Sequence, residues 1–468
     1  PTHYIEMSDG VLIAVTIAFP EGFDADSPAT TLPAVLEMSG YESGSEDGRT
    51  PIGDLEDVTG FTSPVGLTGG TRAAHEDFYP RSRYASVTAN VRGTGCSSGE
   101  FDLFSERSAI DGVAVIEWIA AQPWSNGKIG IFGHSYSGIT GAMVAALASE
   151  VNDPKLDAVS VSGLIGDVYR DIVHPGGVTN YGFPLLWTGA VRPLYDVGGG
   201  SIAGILADRW DRQCLRNQAK RSREVLNDPI LQGASDTDTT WFQSRSLVSY
   251  VDRIKAPIHI TTAYQDEQTG PRGGTNVFDH LSPATVKRLV LLNGDHGSQT
   301  GPDEVRRERK AWLDHWLLDE ADRRVALDDD LGVDVVATPT SVRVLLEVVN
   351  PGRVPNGDIE STSFPLAQTV WADLYFHPGG VIASSAPGAD GGSSTYLHGS
   401  KRQAYSHIVG SNRGAFLSAF DGPDELVFSV DVGDLVDEPG EPLVIAGPIT
   451  ATLFLSATAV DTELMVQL

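Results

Sequence analysis

The sequence predicts an α/β fold, a mostly parallel sheet covered by helices, which is followed by an antiparallel β sandwich. Two observations carry this prediction. In the first half of the chain, short apolar runs such as residues 84–91 and 156–162 alternate with stretches of helical period such as residues 109–122, a pattern typical of parallel sheets with helices on both faces. After about residue 330 the helical periods end, and residues 449–458 alternate with the period of two that is typical of strands.

The elements of the first half can be assigned in order along the chain. They are a hairpin over residues 4–19, strands over 34–38 and 84–91, a helix over 109–122, a strand over 129–132, a helix over 139–148, strands over 156–162, 258–262 and 290–292, and a closing helix over 305–318. Residues 165–245 break this rhythm with Gly-rich turns and a helical stretch over 202–221, which predicts an inserted helical cap.

The predicted division follows from these elements. It consists of the first part of the α/β core (residues 1–164), the cap (165–245), the second part of the core (246–330) and the β sandwich (331–468). The chain stops inside an apparent apolar strand at residues 464–468. Because an uncovered apolar edge favours aggregation, the sandwich is expected to be incomplete at its C-terminus.

Composition excludes several classes of protein. With 62 acidic and 33 basic residues the net charge is -29, so we expect no nucleic-acid partner, and no apolar run is long enough to predict a membrane span. No zinc-ligand spacing, P-loop or G-x-G-x-x-G pattern occurs, so no metal and no cofactor are expected. A single bridge between Cys96 and Cys214 is possible, but free thiols are preferred. A cytoplasmic location is the default because no leader is visible, and a homo-oligomer stays open.

Residues 133–138, Gly-His-Ser-Tyr-Ser-Gly, lie between an apolar run and a helical stretch of small residues. A strand, a tight glycine-flanked turn and a helix form the setting of the nucleophile elbow of an α/β-hydrolase fold, in which a serine sits on a strained corner. Ser135 is therefore the candidate nucleophile, and the backbone N–H of Tyr136 is a candidate oxyanion donor. Ser137 stands where the last glycine of the usual G-x-S-x-G pattern would be.

A serine hydroxyl needs a base, and the base needs an orienting carboxylate. In α/β-hydrolases the acid and then the His follow the serine along the chain, each on a loop after a strand. Asp266 follows the strand predicted over residues 258–262, and His296 follows the strand predicted over residues 290–292. Both loops would lie at the same edge of the sheet as Ser135.

Other residues compete for these two roles. Glu267 could replace its neighbour as the orienting acid, whereas Asp295 is expected to shape the loop beside His296. His134 adjoins the nucleophile, but its side chain is expected to point away, and His174 could enter the pocket from the cap. His296 is preferred because it follows a late strand in the required chain order.

An oxyanion hole needs a second donor besides the Tyr136 N–H. Tyr41 comes just after the strand predicted over residues 34–38, at the same edge, and its phenol could donate a hydrogen bond. On the residues alone, a tyrosine that closes the rim of the core explains this position equally well.

Several segments carry motifs of one family. They are residues 7–11 (MSDGV), 91–99 (VRGTGCSSG), 122–127 (QPWSNG) and 133–138 (GHSYSG). Together they resemble the CocE/NonD hydrolases, which belong with the Xaa-Pro dipeptidyl-peptidases of serine peptidase family S15 and with the α-amino acid ester hydrolases. The resemblance covers nearly the whole chain, and the family's own G-x-S-Y-x-G elbow explains the serine at position 137.

The resemblance implies a role for each candidate residue. Ser135 is the nucleophile, Asp266 the orienting acid and His296 the base. The hydroxyl of Tyr41 is an oxyanion donor beside the N–H of Tyr136. The resemblance also implies a helical cap and a C-terminal jelly roll that normally continues further.

The expected function is hydrolysis of an ester or amide acyl bond in a small molecule or short peptide through an acyl-enzyme. The resemblance implies that relatives specific for α-amino acid esters hold the substrate ammonium with a carboxylate cluster near the acid of the triad, and no such cluster is evident after Asp266. Asp167 and Asp171 of the cap could take its place, but in so acidic a chain we prefer to interpret them as surface acids. We therefore favour ester or acyl-amide hydrolysis over the alternative of an Xaa-Pro dipeptidyl-peptidase. An alternative from another class is a non-catalytic binding protein on a hydrolase scaffold.

Overall fold

A computed structural model gives the fold and contains one large central sheet. The structure describes residues 2–40, 83–149, 156–180, 184, 187–188, 211–220, 235–301, 303–323, 341–346, 357–388, 391–395, 427–436 and 443–458. The strands are β1 (Thr2–Glu6), β2 (Leu12–Ala18), β3 (Leu32–Ser39), β4 (Ala85–Asn90), β5 (Ser125–His134), β6 (Ala158–Ser162), β7 (Ile258–Ala263), β8 (Lys287–Leu292), β9 (Val342–Leu346), β10 (Gly357–Ser361), β11 (Tyr375–His377) and β12 (Val381–Ala383). The helices are α1 (Glu106–Ala120), α2 (Tyr136–Ala148), α3 (Arg212–Ala219), α4 (Gly273–His280) and α5 (Asp303–Leu317). Shorter helical turns lie at Val168–Val173, Pro175–Gly177, Thr240–Gln243, Leu247–Ser249, Val251–Arg253, His296–Gln299 and Val432–Asp434.

The main sheet has ten strands in the order β1-β2-β4-β3-β5-β6-β7-β8-β9-β10. β1 pairs antiparallel with β2, and β2 pairs antiparallel with β4. From β4 to β9 the neighbouring strands run parallel. Strands β4, β6 and β7 are buried along their whole length, as expected when helices cover both faces of a parallel sheet. The mostly parallel sheet that the sequence predicts is therefore confirmed.

Helix α2 is buried on all sides. Its sequence of small and apolar residues has no polar face, and such helices lie inside a core rather than on its surface. Gly141 brings the helix close to β5, since a Cβ there would lie 2.7 Å from the Cγ2 atom of Ile131. Among the described residues, no helix combines the length and the hydropathy needed to cross a bilayer.

The sheet continues beyond residue 330, where the sequence predicts the core to end. β9 pairs parallel with β8, and β10 pairs antiparallel with β9. Arg288 of β8 forms ion pairs with Glu308 of α5 at 2.9 Å and with Glu360 of β10 at 2.8 Å. Arg343 of β9 pairs with Glu308 at 2.6 Å. Strand pairing makes β9 and β10 part of the main sheet, and these ion pairs support it. The predicted domain limits stay predictions.

Strands β11 and β12 form a separate antiparallel pair. Residues 443–458 contain no strand, although residues 449–458 alternate with a period of two, and Phe454 is 98% exposed. A strand forms only where a neighbour accepts its backbone hydrogen bonds, and the described residues supply no such neighbour here. The segments 396–426 and 459–468, which the sequence assigns to the sandwich, lie outside the described residues.

Cys96 and Cys214 form a disulfide, so the expectation of free thiols is wrong. Cys96 lies in the loop after β4, and Cys214 lies in α3 of the predicted cap. The contact is extended by Asn217, whose side-chain amide donates a hydrogen bond to the carbonyl oxygen of Cys96 at 2.8 Å. The cysteines are 118 residues apart, and a spacing of this size carries no pairing signal. The rest of the helix predicted over 202–221 lies outside the described residues.

Candidate active site

Ser135 occupies a sharp corner between the end of β5 and the start of α2. Its backbone has φ 59° and ψ −122°, a conformation that residues other than glycine rarely adopt. Its N–H donates a hydrogen bond to the carbonyl oxygen of Ser162 at 2.9 Å, which fixes the corner against β6. This is the geometry of a nucleophile elbow, in which backbone strain exposes the hydroxyl.

Two glycines allow the chain to pass close to itself at this corner. A Cβ on Gly133 would overlap the carbonyl group of Ser137, and a Cβ on Gly138 would overlap the carbonyl oxygen of Ser162. Both glycines therefore serve close approach of backbones. As a result α2 begins directly over β5, with the N–H of Tyr136 at the elbow.

His296 and Asp266 meet at the ends of neighbouring parallel strands. His296 follows β8 and Asp266 follows β7, and Nδ1 of His296 lies 2.9 Å and 3.0 Å from the two carboxylate oxygens of Asp266. Both side chains are buried. Burial alone lowers the pKa of His296, but the charge of Asp266 and the hydrogen bond to it outweigh burial and raise that pKa above its usual value.

Several donors keep Asp266 ionised. Thr269 donates through its N–H at 2.8 Å and its hydroxyl at 2.6 Å, and the amide of Gln299 donates at 2.6 Å. Burial raises the pKa of a carboxyl group, but the charge of His296 and these hydrogen bonds lower the pKa of Asp266 well below its usual value. An ionised Asp266 favours the tautomer with the proton on Nδ1 of His296, which leaves Nε2 as the atom that can accept a proton.

The competing carboxylates bind other groups of the same loops. Glu267 accepts a hydrogen bond from the backbone N–H of His296 at 3.0 Å. Asp295 accepts the N–H and the hydroxyl of Ser298 at 3.0 Å and 2.6 Å, and so caps the short helical turn that begins at His296. Asp266 is thus the carboxylate beside the imidazole. In the parts of the chain that the structure describes, no group of three or more His, Cys, Asp or Glu side chains could hold a metal ion.

Ser135, His134 and His296 converge on Gly163. This glycine has a φ of 60°, and a Cβ built on it would lie 2.9 Å from both the Ser135 nitrogen and His296 Cε1, and 3.0 Å from His134 Cε1. The rings of His134 and His296 have centroids 4.5 Å apart, so the side chain of His134 lies beside that of the candidate base. Its Nδ1 lies 2.9 Å from the hydroxyl of Ser162, and burial, followed by the charge of His296, lowers the pKa of His134.

The two candidate groups of the cap are both buried. Asp171 is 4% exposed, so its interpretation as a surface acid is wrong. One of its oxygens accepts the N–H of Asp167 at 2.8 Å, and the other has no hydrogen-bond partner among the described residues. Burial raises the pKa of Asp171. His174 contacts the hydroxyl of Thr179 at 3.2 Å and the ring of Tyr169 at 4.8 Å, both from the cap.

Tyr41 lies outside the described residues, so its role stays a prediction. The preceding Gly40 packs against the ring of Tyr136, since a Cβ there would lie 2.7 Å from Cζ. Phe104 and Trp187 contact other parts of the same ring, with centroids at 5.0 Å and 5.9 Å. The end of β3 and the elbow therefore touch directly.

Sequence reasoning missed three groups that surround the site. Thr269 comes three residues after Asp266, and Gln299 comes three residues after His296. In short turns, side chains commonly bond back across three residues, so that local signal could have found Thr269, whereas Gln299 bonds to Asp266 across 33 residues and has no such signal. Gly163 at the end of β6 has no comparable signal, because its role depends on residues distant in sequence.

Comparisons with known proteins agree with this geometry. A family model described as X-Pro dipeptidyl-peptidase (S15 family) matches residues 9–298. A cocaine esterase from Rhodococcus sp. (strain MB1 Bresler) is 25% identical over 516 aligned residues, which cover 99% of this chain and 79% of the esterase. A putative Xaa-Pro dipeptidyl-peptidase from Rhodopirellula baltica is 24% identical over 346 residues, which cover 67% of this chain and 51% of the relative.

A solved structure shows the same fold. It is a CocE/NonD family hydrolase from Staphylococcus aureus, with a TM-score of 0.56 and 22% identity, and the match covers 82% of this chain and 59% of that chain. The S15 family match spans more than half of the chain and includes Ser135, Asp266 and His296. The chain is therefore a serine hydrolase that belongs to the S15 family of X-Pro dipeptidyl-peptidases.

Proposed function

We propose that the chain hydrolyses small esters or acyl amides through an acyl-enzyme. Ser135 Oγ attacks the substrate carbonyl carbon while Nε2 of His296 takes the hydroxyl proton, and Asp266 stabilises the resulting imidazolium. The oxyanion of the tetrahedral intermediate accepts hydrogen bonds from the Tyr136 N–H and the Tyr41 hydroxyl.

Two further steps complete the reaction. The alcohol or amine leaves with the proton from His296, and the acyl group stays on Ser135 as an ester. A water molecule then attacks the acyl carbon and gives its proton to His296. The carboxylic acid leaves as Ser135 Oγ regains that proton, so each bond that forms is matched by one that breaks.

One observation carries the proposal. The strained corner at Ser135 and the ring of His296 meet at Gly163, and the same ring is hydrogen-bonded to the buried carboxylate of Asp266 at 2.9 Å. An ordinary surface turn does not require a positive φ at a serine or a buried His–Asp pair beside it. The name of the cocaine esterase relative supports ester hydrolysis.

Asp171 supports a second candidate, release of dipeptides after Xaa-Pro. Such a peptidase must hold the free N-terminal ammonium of its substrate. Asp171 is a buried carboxyl with one oxygen unpartnered among the described residues, and relatives of this chain are named Xaa-Pro dipeptidyl-peptidases. A substitution of Asp171 tests whether this carboxyl binds the substrate ammonium.

The central test is Ser135→Ala. We expect loss of at least about 10⁴-fold in kcat for an activated acyl ester, because no other group replaces the nucleophile. His296→Ala should cause a similar loss. Wild-type turnover by a folded Ser135→Ala variant would contradict the proposal. Labelling of Ser135 by a fluorophosphonate separates this proposal from a non-catalytic binding protein, which would not react.

A substrate comparison decides between the two candidates. Rates are measured for a short acyl ester, for an Xaa-Pro anilide, and for the same anilide with a blocked N-terminus. Asp171→Asn should raise KM for the free-amine anilide by about 10-fold or more if Asp171 binds the ammonium, because hydrogen bonds to charged groups contribute about 1.5–3 kcal/mol. The acyl ester is the matched control, and its KM should not change.

The disulfide also bears on location. Bonds of this kind form and persist in oxidising compartments, which favours such a compartment over the cytoplasmic default. Alkylation of thiols during isolation, followed by a mass measurement, should find Cys96 and Cys214 unmodified. Two alkylated cysteines would restore the cytoplasmic expectation.

A further inference from the structure

Strands β3 and β5 separate just before the elbow. The register of their parallel pairing extends to Leu36 and Ile131, and three residues further along β5 the backbone N–H of His134 needs another acceptor. The hydroxyl oxygen of Ser137 accepts it at 3.0 Å. The Ser137 hydroxyl therefore accepts the N–H of His134, the residue before the nucleophile, in place of a backbone carbonyl oxygen.

The same hydroxyl connects the elbow to β3. Ser137 donates a hydrogen bond to Oε1 of Glu37 at 2.7 Å, shorter than its 3.0 Å distance to the carbonyl oxygen of His134. Glu37 is 1% exposed, and its other oxygen has no hydrogen-bond partner among the described residues. A buried carboxyl with one hydrogen bond depends on that bond for its orientation.

The electrostatic setting of Glu37 agrees with this picture. Burial raises the pKa of Glu37 to about 8, while the hydrogen bond from Ser137 and the charge of Arg309 on α5 oppose the rise. The guanidinium of Arg309 lies 4.6 Å above the ring of Phe132 in β5. The carboxyl thus stays in a low-dielectric space between β3, α2 and α5, where a hydrogen bond is strong.

Glu37 lies close in sequence to two residues that bear on the proposed oxyanion hole. Three residues after it, Gly40 packs against the ring of Tyr136. Tyr41, the proposed second donor, is the next residue along the chain. Two contacts, Ser137 with Glu37 and Gly40 with Tyr136, therefore join the end of β3 to the elbow.

We infer that the hydrogen bond between Ser137 and Glu37 holds the first turn of α2 against β3 and so positions the Tyr136 N–H as an oxyanion donor, which makes both residues positioning residues for the reaction. The inference rests on the proposed function. Ser137 stands where many elbows have glycine, so the hydroxyl is a specific feature of this corner. Glu37 and Ser137 act on the reaction through the Tyr136 N–H.

The expected size of the effect follows from the donors. Removal of one oxyanion donor typically lowers kcat by about 10²–10³-fold, and a displaced donor retains part of its effect. Ser137→Ala should therefore lower kcat by about 10–100-fold, with KM changed less than about threefold. Affinity for an alkylboronic acid, which forms a tetrahedral adduct on the serine, should fall by a similar factor.

Ser149→Ala is the matched control. Ser149 is a buried serine that follows the other end of α2, and its hydroxyl donates to the carbonyl oxygen of Ala145 at 2.9 Å. We expect this variant to lose stability as Ser137→Ala does, but to keep kcat and boronate affinity. Equal kcat in the folded Ser137→Ala and wild-type proteins would overturn the inference, as would an equal loss of kcat in both serine variants.

The strand side of the bond gives an independent test. Glu37→Leu removes the acceptor and should reproduce the loss in Ser137→Ala, whereas Glu37→Gln keeps an acceptor oxygen and should restore most of kcat. In the double variant of Glu37→Leu and Ser137→Ala the losses should not add, because both substitutions break one bond. Additive losses would overturn the inference.

Fluorophosphonate labelling distinguishes failure of this inference from failure of the proposed function. All four single variants and the double variant should still be labelled at Ser135. If labelling persists and kcat is unchanged, the positioning role is wrong and the serine mechanism stands. If wild-type protein is not labelled, the proposed function itself is wrong.

Discussion

Replacement of Cys214 by serine removes the covalent connection between the loop after β4 and α3. The two cysteines are separated by 118 residues, and closing a loop of this size restricts the unfolded chain by about 5 kcal/mol in the chain-entropy model. Removal of native disulfides typically costs about 2–5 kcal/mol. Because the hydrogen bond from Asn217 to Cys96 remains, we expect the free energy of unfolding to fall by about 3–5 kcal/mol.

Urea unfolding followed by tryptophan fluorescence measures this change. Wild-type protein is compared with Cys96→Ser and Cys214→Ser, each with and without a reducing agent. The reduced wild type should unfold at the same urea concentration as the two variants, and the variants should not respond to the reducing agent. The reasoning is refuted if two free thiols are titrated in unfolded, unreduced wild-type protein, or if both variants keep the wild-type midpoint.

Three further predictions concern single groups of the site. Asp266→Asn should lower kcat by about 10⁴-fold with little change in KM, because the wrong tautomer of His296 is then favoured; a loss below tenfold in steady-state kinetics would contradict this. Since Asp266 outweighs burial and raises the pKa of His296, the acid limb of the kcat/KM profile should have its midpoint above 6.5, and a midpoint below that value would argue against this base. The pKa of Glu37 is 4.5 in its unperturbed state and about 8 in the folded protein, so its stabilising effect is complete below pH 4.5 and is lost as the pH rises to 8. Between pH 4.5 and pH 8 the free energy of unfolding of the wild type should fall by about 1.4 kcal/mol per pH unit relative to that of Glu37→Gln. Parallel curves of unfolding free energy against pH would contradict the burial of a titrating carboxyl.

The elbow and the His–Asp contact could be predicted because each depends on local patterns. An apolar run, two glycines and a serine occur within residues 129–138, and these residues form the end of β5, the corner and the start of α2. Asp266 and His296 each follow a strand of a parallel sheet, so the direction of the strands brings their loops to one edge.

The remaining features depend on partners that are far away in sequence. The ring of His134 lies beside that of His296, where the hydroxyl of Ser162, 28 residues later, bonds its Nδ1. Residues 449–458 show the opposite case, since their period of two predicts a strand that the structure does not contain. Periodicity indicates which side chains share a face, but it does not supply the neighbouring strand that a sheet requires.

The strained corner at Ser135 explains why buried polar contacts gather around one residue. A positive φ at a residue other than glycine costs about 1–3 kcal/mol and persists only where the surroundings enforce it. Here the N–H of Ser135 is bonded to Ser162, and Ser137 joins the next turn to Glu37 on β3. Loss of the bond between Ser137 and Glu37 removes one of these contacts and lets the first turn of α2, with the Tyr136 N–H, shift relative to Ser135. Substitutions of Ser137 or Glu37 should therefore reduce activity more than stability, and that ratio separates positioning of the oxyanion donor from simple support of the fold.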